Sequence, residues 1–110
     1  MIDETVAWIP PMDVCEMDND YIVNAELAGI EASDIQMEFS NSEFTLRGER
    51  SFDSVCACAK ESYDRLELHR GRFQRTIPFP ERIDRDRIQW KLKDGVLHVV
   101  IPKAGQPKSR

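Results

Sequence analysis

The sequence predicts an antiparallel β-sandwich of seven to eight short strands, and three observations predict it. Apolar residues recur at every second position along most of the chain, and no stretch of helical amphipathicity exceeds about two turns. Turn-forming residues break the alternation at regular intervals, at Asp18-Asn19-Asp20, Asn41-Ser42, Gly71 and Asp94-Gly95. The 110 residues suffice for one domain that buries roughly two-thirds of its unfolded surface around a single core.

Met12 to Met17 alternate first, and after the Asp-Asn-Asp turn Tyr21, Val23, Ala25 and Leu27 share a face, so the two segments read as a hairpin. Gly29 supplies backbone freedom in the connection that follows. Ile35, Met37 and Phe39 then stand on one side of a strand, with Gln36, Glu38 and Ser40 on the other. Past Asn41 and Ser42 the chain returns through Phe44 and Leu46, and Gly48 marks a bulge or a close approach. Phe73, Arg75, Ile77 and Phe79 align in the next strand, while Pro78 and Pro80 remove ladder donors. One helical turn is expected near Pro80 to Arg87.

The final hairpin is the clearest local signal. Ile88, Trp90 and Leu92 share a face, Asp94-Gly95 matches a two-residue type I′ turn, and the last strand begins at Val96. Its two faces, Leu97, Val99 and Ile101 against Val96, His98 and Val100, are both largely apolar, so each needs a cover. Between residues 50 and 70 lies an unusually long connection for a compact domain. It contains one charged, weakly apolar strand, Tyr63 to His69, that could reach beyond its own domain.

Composition excludes several classes. A formal net charge of −5 argues against a sequence-independent grip on nucleic acid. No apolar run approaches the roughly 20 residues that cross a bilayer, and the first residues lack the features of a secretory signal. Neither a membrane nor an export address is expected, and a cytoplasmic one is. Three cysteines make a closed disulfide framework unlikely to pair, which fits a reducing compartment. Cys56 and Cys58 invite a metal or redox reading. Cys15, His69 and His98 do not complete a four-ligand spacing, so no metal or other cofactor is expected, and packing of small residues is the simpler account. His98, in mid-strand among valines, reads as a partly exposed strand residue and not as a catalytic base. Neither a nucleophile–base order nor a phosphate-binding glycine loop stands out, so the chain reads as neither an enzyme nor a nucleotide binder. Trp8 and Trp90 read as core residues or as clamps at an open end of the sandwich.

The stretches "WIPPMDVCEMDNDYIVNAELAGI", "DIQMEF", "FTLRGER", "GRFQRTIPFP" and "KDGVLHVVIPK", in that order, resemble the alpha-crystallin domain of small heat-shock proteins in its bacterial and plant form. The resemblance implies an immunoglobulin-like sandwich over residues 8–103, a short arm at 1–7, and a tail at 104–110 without the Ile-x-Ile/Val motif of the family. It also implies an ATP-independent holdase that binds partly unfolded clients and dimerises by strand exchange. The donor strand would carry Tyr63, Arg65, Leu66 and Leu68. The acceptor edge would carry Met12, Val14, Cys15 and Glu16, with Arg75 at or near the interface and in need of an acidic partner if buried. Reciprocal exchange covers two exposed edges at once.

The resemblance further implies an apolar groove walled by Ile35, Met37 and Phe39 on one side and Ile88, Trp90 and Leu92 on the other. Alternation gives each strand one inward face, so groove and core are not separated at this level. The short arm and the tail imply a dimer rather than a large cage. The alternative is an interaction module with a fixed partner, similar to the CS-domain cochaperones that share the sandwich but lack the exchange strand.

Overall fold

The computed structural model describes residues 6–51, 64, 65 and 67–105. Among them seven strands form two antiparallel sheets, as the alternation predicts: β1 (Met12–Glu16), β2 (Asp20–Glu26), β3 (Ile35–Phe39), β4 (Glu43–Arg50), β5 (Gly71–Pro78), β6 (Gln89–Lys93) and β7 (Val96–Pro102). A four-stranded sheet runs β1-β2-β7-β6 and a three-stranded one β3-β4-β5. Single 3-10 turns at Ala32–Asp34 and Arg85–Arg87 lead into β3 and β6. The second is the helical turn expected there, and Asp84 caps it by accepting from the Asp86 amide at 3.1 Å.

The core sits where the central strands face each other. Tyr21 pairs with Ile101, Val23 with Val99 and Ala25 with Leu97. All six side chains are essentially without solvent contact. Against them pack Phe44, Leu46 and Phe73 of the other sheet. Each such apolar side chain contributes about 1.5–3 kcal/mol on burial. Leu97, Val99 and Ile101 are therefore the inward face of β7, and Val96, His98 and Val100 face out. His98 is half-buried and donates Nδ1–H to Asn24 Oδ1 at 2.7 Å. The Asp94-Gly95 turn has φ values of 54° and 80°, as a type I′ turn requires, and sets the Lys93–Val96 register.

Gly48 resolves as a close approach. It pairs with Ile35 on one side and Phe73 on the other, in the inward row of β4. A Cβ there would collide with the Asp34 carbonyl oxygen and lie 2.6 Å from Phe73 Cζ. The absent side chain is the space that the Phe73 ring fills.

Part of the expected eighth strand has no counterpart in the single chain. Asp64, Arg65 and Glu67–His69 belong to no strand, and Tyr63 and Leu66 lie outside the described residues, as do Cys56 and Cys58. Trp8 is buried, in accord with a core role, and its ring lies 5.1 Å from that of Phe73. Trp90 is the correction: it is 46% exposed on a flanking strand and is not core.

Gly48→Ala should destabilise the domain by about 1–3 kcal/mol through overpacking, measured as a lowered urea midpoint. A midpoint equal to that of the parent would show that Phe73 has room to retreat.

Candidate protein interaction surfaces

β1 flanks its sheet and, among the described residues, is hydrogen-bonded on one side only, to β2. Met12, Val14 and Glu16 stand opposite Ala25, Val23 and Tyr21, so they continue the inward row. Four strands packed on three leave an overhang. Met12 is still half-buried against the core, whereas Val14 is 45% exposed beside a Val23 with no exposure. Cys15 points to the outer face, exposed and unbridged. The four expected acceptor residues thus share one uncovered edge, whose outward backbone groups lack a ladder partner among the described residues.

The end of this edge is clamped by a residue that the sequence did not single out. Lys103 follows the last strand and is only 4% exposed. Its Nζ donates to Glu16 Oε2 at 2.8 Å and lies 3.1 Å from Glu81 Oε2. The ammonium also sits 5.1 Å from the Tyr21 ring centroid. Tyr21 Oη accepts from the Glu81 amide at 3.2 Å, so the cluster ties β1, β2, the end of β7 and the β5–β6 connection together. The hydrogen bond from Lys103, reinforced by its charge, holds the Glu16 carboxyl below its ordinary value of 4.5 despite some desolvation. The bond to Glu16 likewise raises Lys103 above 10.5, with burial opposing and Glu81 assisting.

Of the expected donor residues, Arg65 is exposed and pairs with Glu67 at 3.3 Å. Both groups are solvated, so that pair is worth little. Leu68 is 62% exposed. Arg75 is half-buried and donates Nη1–H to the Pro10 carbonyl at 3.1 Å. It needs no acid, because it is not fully buried and a backbone oxygen accepts its hydrogen bond. The bond also places β5 beneath the β1 side of the sandwich, so β3 and β6 flank the opposite opening.

On that side lie the six expected groove residues, Ile35, Met37 and Phe39 on β3, Trp90 and Leu92 on β6, and Ile88 just before it. Ile35, Met37, Phe39, Ile88 and Leu92 are half-buried against the core, and Trp90 projects furthest into solvent. Trp90 stands opposite the fully buried Val99, so it is an inward-row residue left uncovered at the flank. Arg85 Nη1 donates to the Phe39 carbonyl at 3.3 Å and closes one end of the opening. The Phe39 ring stacks on Phe44, with centroids 4.8 Å apart. Five of the six thus continue the core outward, and Trp90 stands at its exposed margin.

Among the described residues no group of three His, Cys, Asp or Glu side chains converges as metal ligands would. No helix among them is long and apolar enough to cross a membrane.

A family model described as Hsp20/alpha crystallin family matches residues 13–110. The chain belongs to the Hsp20/alpha crystallin family. Small heat shock protein C2 of Rickettsia felis is 35% identical over 102 residues, which cover 93% of this chain and 65% of that protein. Heat shock protein 16 of Schizosaccharomyces pombe is 30% identical, covering 92% of this chain and 71% of its own length. The chain therefore spans about two-thirds of the length of these relatives. Among solved structures, heat shock protein 16.0 of Schizosaccharomyces pombe superposes with a TM-score of 0.78 at 30% identity, over 94% of this chain and 96% of that one. A small heat-shock protein from Xylella fastidiosa, whose structure is titled as revealing a distinct high order structure, gives 0.79 at 30% identity, with 96% and 94% covered. The alpha-crystallin sandwich expected from the sequence is thus the fold of this family member, and the CS-domain alternative finds no support.

The Lys103 clamp has a defined pH window. Because the folded-state pKa of Glu16 lies below 4.5, its stabilisation is complete above that value and is lost as pH falls through the lowered one. Lys103 is the mirror case: its contribution is complete below 10.5 and is lost as pH rises through its raised value. Glu16→Gln should therefore lower the thermal midpoint at neutral pH and converge with the parent as pH falls below 4.5 and through the lowered value. A midpoint difference that persists into acid would show that Glu16 acts through packing instead.

Proposed function

We propose that this chain acts as an ATP-independent holdase: it binds partly unfolded proteins through apolar surface and keeps them from aggregating. Trp90 carries this reading. A large aromatic of the core-facing row, half exposed between two flank strands, offers an apolar segment a site of the same chemistry as the interior it has lost. Capture of the unfolded state by mass action requires no chemical step and no nucleotide, which accords with the lack of a phosphate-binding loop in the sequence. The chain is then a binding protein and not an enzyme, and we place it in the cytoplasm.

The assembly proposed with this function is a homodimer in which the segment Tyr63–His69 of one copy pairs with β1 of the other. Two observations support it. The β1 edge has no partner strand among the described residues and carries a half-exposed Val14, and the described part of the donor segment forms no strand within its own chain.

Light scattering from a heated, aggregating client, without ATP, should fall in proportion to added protein. Trp90→Glu should lose at least half of that suppression while leaving the dimer intact. Suppression by this variant equal to the parent would move client binding away from the β3–β6 opening. Deleting residues 62–70 should convert the dimer to a monomer in sedimentation. A deletion variant of unchanged mass would contradict strand exchange.

A further inference from the structure

At the base of the long connection three side chains form a compact stack. The Trp8 indole is fixed first: its Nε1–H donates to the Gly71 carbonyl at 3.0 Å, and residues 7 and 8 hydrogen-bond to the Arg72 carbonyl at 2.8 and 3.3 Å. The His69 ring lies nearly parallel to it, with centroids 5.6 Å apart and planes 7° apart. The Arg50 guanidinium sits 4.4 Å from the indole centroid and donates Nη1–H to the His69 carbonyl at 3.0 Å. Arg50 ends β4, where the connection begins, and His69 stands two residues before β5, where it ends. A cleft of about 460 Å³ adjoins the stack, lined in part by Glu26, Glu67 and Leu68. Burial lowers the pKa of Arg50 below the usual guanidinium value, which Glu26 opposes and Arg70 reinforces. Among the described residues its Nε makes no hydrogen bond, and the group is held by the indole and by the His69 carbonyl.

We propose that Trp8, Arg50 and His69 are positioning residues for dimer assembly: they lock the backbone at His69 onto the domain, so that the segment before it leaves at one fixed angle. This rests on the strand-exchange dimer proposed above and adds how that exchange is made affordable. The stack is complete in the single chain, so the ordering of the last residues before β5 is finished before a partner arrives. Leu68, immediately upstream, already projects into solvent. Without the lock, those residues would have to be ordered during association. Restoring freedom to even one of them weakens association about tenfold.

The test compares the dimer dissociation constant from sedimentation equilibrium with the unfolding midpoint of the dilute monomer, on the full chain. Arg50→Met keeps the apolar stem and loses the bond to His69. It should raise the dissociation constant about tenfold with little change in the midpoint. Arg50→Lys keeps a cation over the indole and one donor, and should recover part of the loss. His69→Gly should match Arg50→Met, and His69→Phe, which keeps the stack and the carbonyl, should match the parent. If all four variants dimerise as the parent does, the positioning role is wrong and the dimer stands. A parent that stays monomeric at every concentration overturns the dimer and the positioning role together.

Discussion

Everything in this domain depends on the contact between β2–β7 and β4–β5. Tyr21, Val23, Ala25, Leu97, Val99 and Ile101 form one face of the core, and Phe44, Leu46 and Phe73 the other. That contact fixes the register of each sheet, because a slip by one residue would turn every buried side chain to water. It also fixes what is left over. Among the described residues only the central strands are fully covered, and both flanks of the larger sheet carry exposed inward-row residues, Val14 and Trp90.

The two flanks are finished differently. On the β6 side the apolar row continues into solvent at Trp90, and Arg85 secures the turn at its end. On the β1 side the backbone is what remains open, while its ends are held firmly. Lys103 holds Glu16, and Pro10 accepts from Arg75. An edge strand with fixed ends and free backbone groups is a template of set length. A half-open apolar row offers a surface without a fixed hydrogen-bonding pattern. The first suits one defined strand, and the second suits many unrelated segments.

The alternation made the seven strands legible in the sequence and, except in β7 where both faces are apolar, the inward face as well, because side-chain direction in a strand repeats every two residues. It could not show which inward residues are covered. Val14 and Val23 have the same pattern, and only their places in the sheet order separate a flank residue from a core one. Trp90 eluded the core assignment for the same reason. Lys103 gave no local signal: a lysine after a proline at a strand end looks like a surface residue until Glu16 and Glu81, 87 and 22 positions away, are brought to it. Gly48 was legible as special, although Phe73, the ring that requires it, was not. The Trp8 stack joins three segments that only the fold makes adjacent.

The central claim is that the β1 backbone edge is the acceptor for a second copy. Amide hydrogen exchange along Met12–Glu16, followed over a dilution series, tests it most directly. Protection of the β1 amides that point away from β2 should rise with protein concentration, while the amides of β6, the other flank of the same sheet, stay unchanged. Exchange at β1 that is the same at every concentration, in a chain that self-associates, would contradict the account and place the contact elsewhere.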